Sequence, residues 1–322
     1  MTLYMGVIGC GTHAQHHAKH YGDQFLTYGV WDPDPKAMEQ MGGAKFSSLE
    51  ALLAEEKIHA VMICSPDEYH LEQIEMALAA GKHVFCEKPL LVPGQDMARL
   101  EAAFDLAKQK KRALTSCHPR RYDRPIWWLD AGVNPRRDKP GFPARFGNIV
   151  SFDFDFSYHA PSNKWKHTRS LLLDHLNHEV DLMNALFGIQ GFNAWKLHDS
   201  FDHYDVVGKR DDGITFRFRG TRRLKEHVYP EWCRVRFERG EVVLDMMMGL
   251  AYILDHDKKT TETVPDLAID YEGRLTKVMK DFGDCQIIWE QTGYLSRSEM
   301  LMNTEAGIIL QNEGVQRINV RS

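Results

Sequence analysis

The stretch of sequence that decides the fold is Leu3-Tyr-Met-Gly-Val-Ile-Gly9-Cys10-Gly11-Thr12-His13-Ala14. Its apolar start passes directly into a glycine turn and then a helical pattern, which predicts a strand, a turn and a helix. Gly9 permits a sharp turn, Gly11 lets the backbone approach a pyrophosphate, and Ala14 is small enough for close helix packing. Backbone N–H groups at the helix start then face the phosphates. The stretch predicts a dinucleotide site at Gly9, Gly11, Thr12, His13 and Ala14; the alternative is a plain strand-turn-helix.

A carboxylate follows the second apolar run, which covers residues 26–31. Asp32 in that position can accept hydrogen bonds from both hydroxyls of a ribose, and its charge repels a 2′-phosphate. The sequence therefore favours NAD over NADP. The alternative is that Asp32 is a turn residue before Pro33.

Helix and strand signals alternate through the first 120 residues, as a series of βαβ units requires. Further apolar runs lie at 59–64, 83–86 and 112–117, and amphipathic stretches lie near 34–41, 48–56, 68–80 and 94–110. This alternation predicts an α/β fold whose N-terminal domain is a doubly wound parallel sheet.

Two of these strands end in polar residues that are expected to line the cleft at the carboxyl edge of the sheet. One end is Ser65-Pro66, followed by His70, and the other is Glu87-Lys88-Pro89. A lysine there can stabilise negative charge that develops on a reacting oxygen. Judged alone, Glu87-Lys88 is more often a surface ion pair.

Length and composition limit the classes of function. A chain of 322 residues suggests two domains, and 40 basic against 45 acidic residues leave no basic footprint for nucleic acid. No stretch approaches the roughly 20 apolar residues of a membrane span, and the N-terminus does not resemble a secretion signal. The six cysteines lack C-x-x-C spacing. We expect a reduced, cytoplasmic protein without membrane or nucleic-acid partners.

The βαβ rhythm stops at Pro119, and a strictly alternating strand at 149–156 opens a different pattern. Strand-like runs follow at about 190–198, 204–209, 213–219, 231–238, 241–247 and 250–255, with helical stretches near 273–283 and 297–313. These runs predict a C-terminal α+β domain on an open, mainly antiparallel sheet. The expected domains are 1–119, which binds the cofactor, and 120–322, which binds substrate and forms oligomers.

A polar helix is expected between Ser170 and Gly188. At about 100° per residue, Asp174, His178 and Asp181 fall on the side opposite the apolar residues. A carboxylate one turn before a histidine can orient the imidazole and raise its basicity, which suits a general base. The alternatives are a solvated polar face and a metal site, but no clear further ligand supports the metal.

These motifs together resemble the glucose-fructose oxidoreductase / inositol dehydrogenase / MocA family (Gfo/Idh/MocA). The resemblance rests on the glycine turn, Asp32, Ser65-Pro66 with His70, and above all Gly81-Lys-His-Val-Phe-Cys-Glu87-Lys88-Pro89. It implies that Lys88 lies beside the nicotinamide and contacts substrate. It also implies that His178 is the catalytic base and Asp174 its partner, and that the open sheet forms a homodimer or homotetramer.

The sequence departs from the family pattern near the substrate. The glycine expected in the helix motif is Leu176, and Thr168-Arg169-Ser170 replaces the usual glycine run. Arg121, Lys166 and Arg169 are further substrate candidates because several cations near one cleft attract an anionic group. Ordinary surface cations are the alternative. The expected cofactor set comprises Gly9, Gly11, Thr12, His13, Ala14, Asp32, Ser65, Pro66, His70, Glu87 and Lys88.

The resulting hypothesis is an NAD-dependent oxidoreductase that moves hydride between the nicotinamide and a secondary alcohol or ketone of a small sugar, cyclitol or related polyol. The catalytic residues would be Lys88, His178 and Asp174, with no metal. One alternative is a glycoside hydrolase that recycles its NAD in place. Another is a non-catalytic NAD-binding protein that has kept the fold.

Overall fold

The computed structural model describes residues 3–20, 24–135, 140–157, 169–222, 231–288 and 295–321, with the side chains of 271 and 285–288 excepted. The chain forms two compact units. The first contains Met1–Pro119 and Tyr271–Thr304, and the second contains Arg120–Asp270 and Glu305–Ser322. No helix in the described ranges has both the length and the apolarity that a bilayer crossing needs.

The first unit is built on a six-stranded parallel sheet with the order β3-β2-β1-β4-β5-β6. This order confirms the doubly wound prediction, because the strands run outward in both directions from β1 and β4. A crevice opens at the carboxyl ends of such strands, where the order reverses. The elements are β1 (Leu3–Ile8), α1 (Thr12–Ala18), β2 (Phe25–Trp31), α2 (Pro35–Glu39), β3 (Ala44–Lys45), α3 (Leu49–Ala54), β4 (Ala60–Ile63), α4 (His70–Ala79), β5 (His83–Cys86), α5 (Met97–Lys110) and β6 (Leu114–Ser116).

Local chemistry explains where these elements begin. The strand β4 is buried along its whole length, as a central parallel strand must be. Three helices begin at side-chain caps, since Asp34, Ser48 and Asp96 accept hydrogen bonds from backbone N–H groups of α2, α3 and α5. The short strand β3 has no apolar run, which is why the sequence did not predict it.

A late helix, α9 (Tyr271–Ile288), belongs to the first unit. The sequence placed this segment in the domain 120–322. In the structure the Phe282 ring lies 5.7 Å from the Phe25 ring and 5.5 Å from the Phe85 ring. Gln24 also donates a hydrogen bond of 2.8 Å to Asp284. Aromatic contacts between residues more than 190 positions apart in the sequence therefore join this helix to the parallel sheet.

The second unit is built on a nine-stranded sheet with the order β14-β13-β12-β11-β7-β10-β9-β8-β15. Only the β7–β10 pair is parallel among the described pairings of this sheet, which confirms the mainly antiparallel prediction. The strands are β7 (Ile149–Ser157), β8 (Phe192–Ser200), β9 (His203–Arg210), β10 (Thr215–Thr221), β11 (Trp232–Phe237), β12 (Gly240–Asp245), β13 (Leu250–Asp255), β14 (Thr260–Val264) and β15 (Gln316–Ile318).

Four helices accompany this sheet: α6 (Arg124–Val133), α7 (Phe142–Phe146), α8 (Leu171–Phe187) and α10 (Arg297–Ile309), the last shared with the first unit. The sequence predicted neither α6 nor α7, because Pro and Arg dominate that segment. It did predict α8, which begins where the Ser170 hydroxyl caps Leu173. The alternative of a solvated polar face was wrong, since α8 is buried almost all round.

Candidate active site

The glycine turn after β1 requires glycine at its first position. Gly9 has a φ of +83°, and a Cβ there would lie 2.5 Å from the backbone nitrogen of Ser65. Its N–H donates to the carbonyl of Trp31 at 2.9 Å. The turn is therefore held between β2 and the segment after β4, and any side chain would displace it.

Gly11 leaves open space in front of α1. A Cβ at this position meets no described atom within 4 Å, and no side chain of the described residues caps the helix. Thr12 and His13 are exposed, whereas Ala14 is fully buried beneath them. Uncapped N–H groups beside an open cradle fit the pyrophosphate of a dinucleotide.

Asp32 follows β2 and also hydrogen-bonds the glycine turn. Its Oδ2 accepts the backbone N–H of Cys10 at 2.7 Å, and its Oδ1 accepts that of Asp34 at 2.8 Å. Each carboxylate oxygen has a second lone pair, so these bonds leave acceptor capacity for ribose hydroxyls. The carboxylate thus links the glycine turn to the position where a ribose would lie.

His70 joins the two polar strand ends. Its Nδ1 lies 2.7 Å from the carbonyl oxygen of Pro89, and its Nε2 lies 2.9 Å from that of Ser65. The ring is fully buried, and the Ser65 hydroxyl donates to Gln73 at 2.6 Å. The contacts of His70 therefore support the loops that follow β4 and β5, and Pro66 belongs to the first of these loops. A direct cofactor contact by His70 stays a prediction.

Glu87 forms a buried ion pair at the end of β5. Its carboxylate hydrogen-bonds the Nε2 of His17 in α1 and accepts the backbone N–H of Lys88 at 3.2 Å. Burial alone raises the pKa of Glu87, but the His17 hydrogen bond and the charges of His17, His13 and Lys88 hold it well below its usual range. The anion beside the partly exposed Lys88 favours the ammonium form of that lysine.

The cysteines that the structure describes are free thiols. Cys10, Cys64, Cys86, Cys117 and Cys233 are free, and burial raises the pKa of each thiol, that of Cys10 to about 11. They serve as small apolar groups, as expected from their strand positions. His17, Glu87 and Cys117 are the one group of possible metal ligands found among the described residues. The His17–Glu87 hydrogen bond already occupies two of those ligands.

The three polar residues that the sequence grouped on α8 differ in their exposure and in their partners. Asp174 is partly exposed and His178 is 8% exposed. Asp181 is fully buried and forms a bidentate pair with Arg121, with distances of 2.7 and 2.8 Å. This pair gives both residues a structural task, so a substrate contact by Arg121 stays a prediction.

The other two substrate candidates differ in what can be said of them. Arg169 lies just before α8, and its carbonyl accepts a hydrogen bond of 2.9 Å from Arg222. Lys166 lies outside the described residues.

The sequence reasoning missed a buried polar cluster beside His178. It consists of His175 and Glu179 on α8, Tyr204 on β9, and the Arg120–Glu231 pair. One signal was visible, since His175 and Glu179 are four residues apart on a helix. Their partners lie far away in the sequence, so no local sequence pattern indicates these contacts.

Comparison with known proteins agrees with this geometry. Residues 3–118 match the model of the GFO_IDH_MocA oxidoreductase family, described as an NAD-binding Rossmann fold. Residues 3–118 are therefore similar to the NAD-binding domains of that family. The open cradle at Gly11 and the carboxylate at Asp32 are the features of this chain that suit the NAD of that description.

Curated relatives match parts of the chain. An inositol 2-dehydrogenase of Rhizobium meliloti is 34% identical over 129 residues, which is 38% of each protein. An uncharacterized oxidoreductase of Schizosaccharomyces pombe is 30% identical over 178 residues, 52% of this chain and 45% of the relative. The chain thus spans less than half of the length of these relatives.

Solved structures share the fold across the whole chain. A levoglucosan dehydrogenase in complex with NADH and levoglucosan has a TM-score of 0.80 at 18% identity, covering 99% of this chain and all of that one. A scyllo-inositol dehydrogenase from Lactobacillus casei has a TM-score of 0.78 at 18% identity, covering 98% of each. At such identities the likeness establishes the Gfo/Idh/MocA fold alone.

Proposed function

We propose that this protein is an NAD-dependent dehydrogenase acting on a secondary alcohol of a sugar, cyclitol or related polyol, or on the matching ketone. The observation that carries the proposal is that each unit holds polar groups suited to alcohol oxidation. A lysine follows a buried carboxylate at the end of β5, and a buried histidine follows an aspartate by one turn of α8. These are the groups that alcohol oxidation requires.

The residues of the first unit would hold the cofactor. The glycine turn from Gly9 to Ala14 suits a pyrophosphate, and Asp32 suits an unphosphorylated ribose, which favours NAD over NADP. The inositol and levoglucosan dehydrogenases among the similar proteins support a polyol as substrate.

His178 would take the proton of the reacting hydroxyl. Asp174, one helical turn earlier, would orient the imidazole and stabilise the imidazolium that forms. The ammonium of Lys88 would stabilise negative charge on the same oxygen as its proton leaves. NAD, when bound, supplies the hydride acceptor. The reverse reaction uses the same groups with the proton returned by His178.

A panel assay tests this proposal. The protein is incubated with NAD or NADP and with inositols, levoglucosan and common sugars, and reduction is followed by absorbance. We expect turnover with NAD, and a loss of at least about 100-fold in Lys88→Ala and His178→Gln with NAD affinity nearly unchanged. Full activity in either variant would refute its role. Release of an aglycone from a glycoside without net NADH would show the hydrolase instead.

We further propose a homodimer or homotetramer formed through the outer face of the nine-stranded sheet. That face carries ion-paired side chains such as Arg217 and Asp205, 2.6 Å apart, next to the exposed rings of Trp195 and Trp232. Aromatic residues and arginines are enriched at interfaces. Light scattering of the protein and of Trp232→Glu tests this surface, since a monomeric wild type would contradict it. The free thiols support a reducing compartment, and we propose the cytoplasm.

A further inference from the structure

The buried cluster beside His178 is centred on a second histidine of α8. His175 lies with its Nδ1 2.8 Å from Oε1 of Glu179, and the Tyr204 hydroxyl donates to the same oxygen at 2.6 Å. Glu179 and Tyr204 are fully buried, and His175 is 6% exposed. We refer to His175, Glu179 and Tyr204 as the His175 cluster.

Cationic and aromatic groups hold the His175 ring from the other side. Nη2 of Arg120 lies 3.5 Å from Nε2 of His175, and Arg120 is itself ion-paired to Glu231. The ring of Phe156 stacks on His175 with centroids 3.5 Å apart and planes 14° apart. The guanidinium of Arg120 lies 4.8 Å from the same Phe156 ring. The imidazole is therefore fixed both along its edge and across its face.

These contacts also determine where the His175 proton lies. A guanidinium only donates, so Nε2 of His175 must accept from Arg120. Nδ1 then carries the proton and donates it to Glu179. The hydrogen-bond pattern thus selects one tautomer of a neutral ring whose orientation cannot reverse without breaking both contacts.

His178 is in direct contact with this fixed ring. The two imidazoles lie one helical turn apart, with centroids 5.1 Å apart and planes at 61°. We propose that His175 is a positioning residue for His178: its locked ring sets the orientation in which His178 meets its substrate, and this orientation determines which His178 nitrogen carries the proton. This inference rests on the proposed function only for its catalytic consequence, because the orientation of His178 is measurable in the protein alone.

Burying charged groups around His175 costs free energy, which indicates that these residues have a role beyond packing. The carboxylate of Glu179 and the guanidinium of Arg120 lose hydration free energy on burial, and packing does not fully compensate for this loss. An apolar side chain at position 175 would stack on Phe156 without that penalty. The charged and titratable groups facing the cluster are Asp174 and Glu179 from α8, Arg120 and Asp123 from the segment before α6, and Glu231 from the segment before β11.

Two substitutions at one position separate positioning from simple stability. His175→Leu removes both the ring and the donor to Glu179. His175→Asn removes the ring but keeps an N–H donor near the place of Nδ1, so it satisfies the buried carboxylate. His198→Leu, at an exposed histidine on β8 of the same sheet, is the matched control for the loss of a histidine ring. Each protein is studied by ¹⁵N-histidine NMR without ligand and by its pH profile.

The NMR spectrum reports the tautomer of His178, whose signal is assigned by its loss in His178→Gln. We expect one tautomer in the wild type and in His198→Leu, and a mixture in both His175 variants. A single unchanged tautomer in His175→Leu overturns the inference whether or not the protein is a dehydrogenase.

Kinetics give the second readout, with myo-inositol as the probe or the panel polyol that the wild type turns over fastest. We expect kcat to fall about tenfold in both His175 variants with KM within about twofold, and the acidic limb of the pH profile for alcohol oxidation, which reports the general base, to move. The thermal stability of His175→Asn should be close to that of the wild type, unlike that of His175→Leu. If kcat returns with it, His175 is only a structural residue and the inference is wrong.

Discussion

Breaking the His17–Glu87 pair tests the account of the first unit most directly. His17→Leu keeps an apolar side chain of similar size in α1 but removes the partner of a buried carboxylate. The side chains of His17 and Glu87 are 4% and 11% exposed, so water does not replace the lost bond. Removing one partner of a buried pair costs about 3 to 5 kcal/mol. At about 2 to 4 °C per kcal/mol, the melting temperature should fall by roughly 6 to 20 °C at pH 7.

The pH dependence supplies the sharper part of this test. In the wild type the pKa of Glu87 lies below its ordinary value of 4.5, so the stability it contributes is complete above that value and is lost as the pH falls. In His17→Leu burial dominates and raises the pKa of Glu87, so folding is accompanied by proton uptake. The difference in stability between the two proteins should therefore shrink as the pH falls from 7 to 5.

The assay is urea unfolding followed by tryptophan fluorescence at several pH values. His16→Leu, on the same helix but exposed, is the matched control and should change stability by less than about 0.5 kcal/mol. Glu87→Gln combined with His17→Leu should recover much of the loss, because the pair of changes leaves no buried charge. A loss below 1 kcal/mol, as an order-of-magnitude threshold, or a loss that grows toward pH 5, would refute the reasoning.

Three further substitutions follow from the same geometry. Gly9→Ala places a Cβ against Ser65 at a positive φ, so calorimetry should show NAD affinity reduced by at least about tenfold; unchanged affinity would contradict the strained turn. Asp32→Ala should weaken NAD binding about tenfold and reduce the preference for NAD over NADP, which parallel titrations of both cofactors measure. Asp181→Asn leaves the largely buried Arg121 without its anion and should cost about 3 kcal/mol in unfolding free energy. Glu262→Gln, at a partly exposed pair with Arg145, should cost under about 0.5 kcal/mol, and equal losses in the two variants would count against the burial argument.

The sequence predicted what depends on local pattern. The strand, turn and helix around Gly9 follow from conformational needs that only glycine meets, and the buried strand β4 follows from its apolar run. The alternation of 149–156 predicted β7, where Phe152 and Phe154 point into the core. Helix α8 was predictable from its periodicity, and so was the placement of His178 and Asp174 on it.

The remainder depends on contacts between distant residues. Arg121 and Asp181 are 60 positions apart, so neither sequence context indicates that they form a pair. Residues 271–304 fold with the first unit because Phe282 packs against Phe25, which no periodicity reports. On α8, Asp181 is buried because it pairs with Arg121, and Tyr204 and Arg120 cover Glu179 and His175. Burial of polar groups is a property of the assembled fold, not of a helix alone.

Because α9 belongs to the first unit, it affects how the chain folds during synthesis and how it can be truncated. During synthesis, the sheet around Phe25 and Phe85 cannot complete its aromatic packing until residue 282 has left the ribosome. The cofactor-binding half therefore finishes late, although its sequence comes first. A fragment ending at residue 119 would expose the surface that Phe282 covers, and a separable cofactor domain would need residues 271–304 restored through a linker.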